Sequence, residues 1–463
     1  MKLYDKDIQK ALVVGLGFRS GLAAANFMAR RGVAVTVSDM KSEEELSEII
    51  AQLEPGVKTE TGHQDVSILD GGFDLLVLSP GVPVRIPLVQ EAFNRGIQVV
   101  SEIELAYAFI RGGIIAITGT DGKSTTTSLV GHILEQLGHH TIVGGNIGIP
   151  LISLVEETSD ESVAVIELSS FQLETIDRFR PDVAAILNLS PDHQDRYSGM
   201  EDYFAAKKRI AASQTKEDTF VYNLDDARLA AGLDEIPGAL TSFSINNESA
   251  DAFYRDGMIY LSDDKKNPVI DPSKMKVVGL HNVQNAMAAL LMVKACLVKK
   301  GIVPDYVEIA EACYSFVGLE HRMEDAGIFE GRKFINDSKA TTVGAVTMAV
   351  KGLSGNGILI IGGKTKGDDY SRLADELKGR VRAVVLIGES SELFAEILAG
   401  FKTVRAGSMD DALVQAMRQS REGDMILLSP ACASFDMYTS YDERGKIFKK
   451  GVDKLREGTL EWT

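Results

Sequence analysis

The sequence predicts an α/β protein of three domains in series, each built on a mainly parallel sheet flanked by helices. Three observations predict it. Short apolar runs of strand length alternate with helical patterns along the whole chain, as βαβ units require. Two strands end in glycine-rich turns that open a helix, at GLGFRSG (Gly15–Gly21) and GTDGKST (Gly119–Thr125). At 463 residues the chain is too long for one ordinary domain.

Taken in order, ALVVGLG is an apolar run closing on glycines, SGLAAANFMARRG is a helical pattern stopped at Gly32, and VAVTVSD is a second strand ending at Asp39. DLLVLSPGVP, from Asp74, adds another buried strand, and the segment is Rossmann-like. A second series begins near Ile114, with IIAITGT as a strand, SLVGHILEQLG as a helix, and VAVIELSS and VAAILNLS as further strands. FYRDGMIYLS has two short strand patterns flanking Asp256-Gly257, which predicts an antiparallel hairpin added to the middle domain. NVQNAMAALLMVKACLVKKG then reads as a long helix closing this P-loop-type domain. After Gly318, strands FINDS, ILIIGG, AVVLIG and MILLSP alternate with helical stretches in a second Rossmann-like segment. The expected domains are 1–109, 110–317 and 318–463.

Hydrophobic residues at 45% and charged residues at 25% fit a globular chain. No apolar run is long enough to span a bilayer, and MKLYDKDIQK lacks the apolar core of a signal peptide. Cys296, Cys313 and Cys432 show no metal-type spacing, so a reduced cytoplasm is expected. The net charge of −17 repels phosphate backbones and argues against a nucleic-acid partner. Small anions remain accessible to helix N-termini, lysines and metal ions.

The strongest local signal is ITGTDGKSTTT, at Ile117–Thr127, between a strand and a helix. Gly119 and Gly122 let backbone N–H groups turn inward, Lys123 can reach terminal phosphates, and the Ser124 hydroxyl can ligate Mg²⁺. Only Thr120 and Asp121 separate the two glycines, where the general phosphate-loop pattern has four residues. On its own the segment could be an ordinary tight turn. Glu167, at the end of VAVIELSS, and His193, in NLSPDHQDRY beyond the next strand, fall at strand carboxyl ends and can face the same mouth. A carboxylate, an imidazole and a hydroxyl beside phosphates suit a divalent cation. Singly, Glu167 as a helix cap and His193 as a turn residue are equally good readings.

These residues resemble the Mur ligases, most closely the D-glutamate-adding members. GGNIG (Gly144–Gly148), ELSSFQLE (Glu167–Glu174), DHQDRY (Asp192–Tyr197), AAKKRI (Ala205–Ile210), HNVQNAMAA (His281–Ala289), GLEHRME (Gly318–Glu324), NDSKATT (Asn336–Thr342), GGKTKG (Gly362–Gly367) and SPACASFD (Ser429–Asp436) follow in the family's order. The resemblance implies an ATP-dependent ligase of peptidoglycan precursor synthesis. It would phosphorylate the carboxylate of UDP-N-acetylmuramoyl-L-alanine and let the amine of D-glutamate displace the phosphate. It further implies that Gly119, Thr120, Asp121, Gly122, Lys123, Ser124 and Thr125 cradle ATP phosphates, with two Mg²⁺ sites. Ser124 and Glu167 would hold one ion; His193 and a carbamoylated Lys207, fourteen residues further on, would hold the other. Lys208 is adjacent, and a solvated helix surface is the ordinary fate of either lysine. Asn282 and Asn285 would lie by the adenine, Arg322 and Asp337 by the ribose or phosphates, and Lys339 by the γ-phosphate.

GLGFRSG invites a nicotinamide-dependent oxidoreductase reading, yet its spacing departs from the dinucleotide fingerprint. The resemblance assigns the loop to uridine diphosphate instead, through Phe18, Arg19, Asp39, Ser79 and Gly81, with Asn146 near the sugar end and His193 a further contact of the nucleotide substrate. D-glutamate would meet Thr341, Lys366, Ser434 and Tyr441. Tyr441 stands where a phenylalanine is expected, GGKTKG departs from the commoner GGDGK, and Asp121 replaces an asparagine. A Mur-family or folylpolyglutamate-type amide ligase with another substrate, and a nucleotide-regulated binding protein, are the competing readings. A monomer is expected, and closure of the third domain after ATP binding would shield an acyl phosphate from water.

Overall fold

The computed structural model describes residues 1–193, 196–277, 279–351, 353, 357–365 and 369–462, with the backbone alone at 351. The chain divides into two compact units, Met1–Phe316 and Val317–Thr463.

The first unit holds two large sheets. Five parallel strands run in the order Lys58–Thr61, Ala34–Asp39, Lys10–Val14, Leu75–Leu78, Gln98–Ser101. The order reverses between Lys10–Val14 and Leu75–Leu78, so the loops after these two strands flank a crevice suited to a nucleotide. The second sheet has eight strands, ordered Met258–Leu261, Ala252–Arg255, Ala239–Ser244, Thr219–Asn223, Val183–Ile186, Gly113–Thr118, Val163–Glu167, Thr141–Gly145. Only the Ala252–Arg255/Met258–Leu261 pair is antiparallel. It is the hairpin expected at Asp256-Gly257, both with positive φ, and it extends the sheet edge rather than forming a separate element.

Burial explains why these strands read as unbroken apolar runs. Val163–Glu167 is buried at every position, with Ala164 and Ile166 in one core layer and Val163 and Val165 in the other. Helix Leu280–Lys299 covers the second layer and is buried nearly all round, which is why its sequence lacks a polar face.

The two sheets are stitched by the short helix Glu102–Tyr107. Its Glu104 carboxylate accepts the backbone N–H groups of Asp177, Arg178 and Phe179 at 2.9–3.0 Å, and the Tyr4 hydroxyl. Glu102, fully buried, accepts the Ile152 N–H at 2.7 Å.

The second unit carries six strands in the order Glu324–Phe329, Arg332–Asn336, Met425–Leu428, Gly357–Gly362, Val381–Ile387, Thr403–Ala406. All pair in parallel except the first, an antiparallel edge strand not anticipated from the sequence. Glu324–Phe329 has no fully buried position, so it lacks the apolar run that marked the others. With three mainly parallel sheets in series, the α/β architecture is the one expected.

Candidate active site

The loop after strand Gly113–Thr118 turns at Gly119 and Gly122 and opens helix Lys123–Gln136. Gly122 sits at φ +78° with the Asn285 side chain 2.6 Å from where a Cβ would stand, so only glycine fits there. Asn188 holds the loop from the next strand: its Oδ1 accepts the N–H groups of Thr120 at 3.1 Å and Asp121 at 2.8 Å, and its Nδ2 donates to Asp121 O. The N–H groups of the helix's first turn remain aimed into the mouth, where they favour an anion. Lys123 Nζ lies over the loop, donating to Gly119 O at 2.9 Å and Thr120 O at 2.8 Å. Ser124 is buried at the helix start, and Thr125 follows it in the same turn.

Glu167 ends the neighbouring strand, paired with Ile117, and is buried. Its Oε1 accepts the Asn146 Nδ2 at 2.7 Å, while its Oε2 has no hydrogen-bond partner among the described residues. An orphaned, buried carboxylate oxygen beside a phosphate-type loop fits a divalent cation. Lys207 is only 1% exposed, and its Nζ donates to Gly119 O at 2.8 Å. Two lysine nitrogens thus share one carbonyl. Burial, and then the Lys123 charge, push the Lys207 ammonium well below the usual lysine range, against the pull of Asp192, Asp121 and Glu167. Lys208 turns outward, its Nζ 3.5 Å from Glu235. His193 lies at φ +51°, its ring tilted against Phe171 with the centroids 4.6 Å apart and its Nε2 3.4 Å from Asp192.

Asn282 and Asn285 are adjacent on helix Leu280–Lys299, with Asn285 Nδ2 donating to Asn282 Oδ1 at 3.1 Å. In the first sheet, Gly21 lies so close to Gly15 O that a Cβ would stand 2.2 Å away. Asp39 accepts the Leu16 and Lys41 N–H groups at 2.7 and 3.0 Å, one per carboxylate oxygen, and keeps lone pairs for a ligand hydroxyl. Ser79 donates to Gly15 O at 2.6 Å, Gly81 follows in the same turn, and Phe18 is 57% exposed. Arg19 reaches the other sheet and donates to Gly148 O at 2.6 Å and Asn146 O at 3.3 Å.

In the second unit, the loops after Arg332–Asn336 and Met425–Leu428 meet. Asp337 is buried, accepts from Ser429 Oγ at 2.8 Å and Met323 N at 3.2 Å, and is pushed up to about 7 by desolvation, with the Arg322 charge pulling it back. Lys339 Nζ stands 5.4 Å from the Tyr441 ring centre. Thr341 is in the same loop, which accepts the Ala431 N–H at Ala340 O. Ser434 is buried in the facing loop. Lys366 lies outside the described residues.

Three family descriptions match: "Mur ligase MurD-like, N-terminal domain" at residues 9–101, "Mur ligase middle domain" at 117–293, and "Mur ligase, glutamate ligase domain" at 321–432. The UDP-N-acetylmuramoylalanine–D-glutamate ligase of Koribacter versatilis is 42% identical over 452 residues, 97% of this chain and 98% of that protein. The chain belongs to the Mur ligase family. The protein of the same name from Geotalea daltonii is 43% identical over 454 residues, 97% of this chain and 98% of its own length. The UDP-N-acetylmuramate-alanine ligase of Thermotoga maritima shares the fold of this Mur ligase. Its TM-score is 0.60 at 19% identity, over 98% of this chain and 100% of that one. The oxidoreductase reading of GLGFRSG is left without support, since its segment matches a Mur ligase domain. As a Mur ligase, the chain is an ATP-dependent amide-forming enzyme.

Within each unit, sequence reasoning missed several residues that order the loops carrying the candidate site residues. Asn188 fixes the phosphate loop, yet NLS reads only as a strand end. Arg444 is 1% exposed inside the second unit and donates to Ser338 Oγ and O, Cys432 O and Ala433 O at 2.8–3.4 Å. It joins the loops that carry Lys339 and Ser434, but in YDERGKIFKK it looks like one of many solvated charges. His321 bridges Asn336 and Asp442 at 2.8 and 3.1 Å. Its place in GLEHRME was the available signal.

Proposed function

We propose that this Mur ligase adds D-glutamate to UDP-N-acetylmuramoyl-L-alanine through an acyl phosphate, releasing ADP and phosphate. The supporting observation is the convergence of Lys123, Ser124, Glu167 and Lys207 on one phosphate-type loop, in a chain 42% identical to relatives bearing that name. A free carboxylate is a poor acyl donor because its leaving group would be oxide. Attack of one of its oxygens on the γ-phosphorus forms an O–P bond, breaks the bridge to the β-phosphate and expels ADP. The amine of D-glutamate then forms the C–N bond, loses a proton, and displaces inorganic phosphate.

The chain's own groups do this by positioning and charge. The helix N–H groups after Gly122 receive phosphate oxygens, and Lys123 leaves its loop carbonyls to offset their charge. Asn282 and Asn285 are assigned to the adenine, and Arg322, Asp337 and Lys339 to the ribose and phosphates. The nucleotide-linked substrate is assigned to Phe18, Arg19, Asp39, Ser79, Gly81, Asn146 and His193, and D-glutamate to Thr341, Lys366, Ser434 and Tyr441.

Ser124 and Glu167 would hold one Mg²⁺, and His193 with Lys207 a second; the ions would neutralise charge building up on the phosphates. A lysine held below its usual range carries a free amine, and that amine adds CO₂ to give a carbamate and a proton. The carbamate supplies the oxygen ligands an ammonium lacks. The reading takes residues 1–109, 110–317 and 318–463 as uridine-nucleotide, ATP/Mg²⁺ and amino-acid domains of a cytoplasmic monomer. Among the described residues no helix is long and apolar enough to cross a membrane. With ATP, Mg²⁺ and the nucleotide substrate, phosphate release is expected only when D-glutamate is present. Equal release with L-glutamate or L-lysine would overturn the assignment.

A further inference from the structure

Arg196, in DHQDRY, has no role in the reaction described so far, yet its guanidinium is held on two sides. Its side chain is 11% exposed. Nε and Nη2 grip Glu174 as a bidentate pair at 3.0 and 2.5 Å, and the Tyr197 hydroxyl donates to the same carboxylate at 2.7 Å. The other face of the guanidinium looks to the first sheet. Nη1 donates to Pro80 O at 3.1 Å and Nη2 to Val82 O at 3.3 Å, in the turn that contains Ser79 and Gly81.

Each anchor leads to the metal side of the site. Glu174 ends the segment that begins at Glu167. The Arg196 and Tyr197 N–H groups both bond to His193 O, at 3.0 and 3.1 Å. Phe171 lies between the two, 4.3 Å from the Arg196 guanidinium on one side and 4.6 Å from the His193 ring on the other. A shift of the 79–82 turn therefore pulls on Arg196, and through it on the positions of His193 and Phe171. Arg19 makes a second tie between the sheets, but it belongs to the proposed nucleotide site itself.

We infer that Arg196 is a positioning residue that couples the uridine-nucleotide turn at 79–82 to the proposed metal site at His193. Occupancy at either end then favours the arrangement needed at the other, a coupling that is reciprocal by linkage. The inference rests on the functional reading above for the identity of the two ligands.

Calorimetry tests it. UDP affinity is measured with and without saturating Mg²⁺–ADP in the wild type, Arg196→Lys and Arg196→Met. Wild-type UDP binding should tighten about fivefold or more with Mg²⁺–ADP. That factor should fall to about one in Arg196→Met and be partly restored in Arg196→Lys. An unchanged factor in a folded Arg196→Met protein, or none in the wild type, overturns the inference. If Arg196→Met does not fold, Glu174→Gln leaves the guanidinium in place, and an unchanged factor there overturns it equally. D-glutamate-dependent turnover of the same wild-type sample separates the two claims. Its absence sinks the ligase reading, whereas the coupling factor judges Arg196.

Discussion

Glu102 should make the first unit less stable as pH rises. It is fully buried, accepts one N–H from Ile152, and its Oε2 has no hydrogen-bond partner among the described residues. Desolvation pushes its carboxyl from the ordinary 4.5 up to about 7, with the Ile152 N–H and the Arg19 charge pulling the other way. The folded chain therefore holds a proton between pH 4.5 and 7 that the unfolded chain releases. More protons bound in the folded state means that stability falls as pH rises through this window. The full effect above pH 7 is roughly 3 kcal/mol, or a Tm change of roughly 5 °C. Glu102→Gln keeps an oxygen for Ile152 and cannot ionise. Thermal unfolding of both proteins from pH 5 to 8 should show Glu102→Gln gaining on the wild type as pH rises. The subtraction removes Asp337, which shifts in the same direction in both. A wild-type-minus-variant difference that is the same at pH 5 and pH 8 would refute the reasoning.

Lys123→Ala should abolish turnover, since Lys123 is the cation at the start of the helix that the phosphate loop opens, and Lys207, the other lysine on the Gly119 carbonyl, is held below the usual lysine range; near-normal kcat would contradict the loop's role. Lys207→Ala should lose about 10²–10³ in kcat, with partial recovery in formate or acetate, the loss typical of an aimed electrostatic group. Lys208→Ala, which removes a surface pair with Glu235 and a contact with the Phe204 ring, should stay within about twofold of wild type, and the reverse ranking would move the assignment to Lys208. Arg444→Met leaves the carbonyls of Ser338, Cys432 and Ala433 without this donor. It should cost the second unit about 2–4 kcal/mol in urea unfolding, and a loss under about 1 kcal/mol would show those loops are held otherwise.

The sheets were legible because parallel strands buried on both faces leave unbroken apolar runs, as at Val163–Glu167 and Gly357–Gly362. Glu324–Phe329 escaped notice because an edge strand needs no such run. Lys123, Glu167 and His193 stood out as candidates because their motifs follow strand carboxyl ends, where ligands bind. Choosing between Lys207 and Lys208 from sequence needed the family's spacing, since adjacent lysines on a helix look alike until one is buried. The cross-ties were illegible for a related reason. Glu102, Arg196 and Arg444 bond to carbonyls or N–H groups of segments far away in sequence, and composition marks such residues as surface charges. Lone backbone partners leave no pattern of their own.

The account's central claim is that the substrate carboxylate is activated as an acyl phosphate. The nucleotide substrate, labelled with ¹⁸O in both oxygens of its L-alanine carboxylate, tests this in one turnover with ATP and D-glutamate. Since the carboxylate oxygen that attacks phosphorus leaves with it, mass analysis should find one ¹⁸O in each released phosphate and one retained in the new amide. Amide formed with unlabelled phosphate, the lost ¹⁸O appearing in water or in the nucleotide instead, would contradict the account.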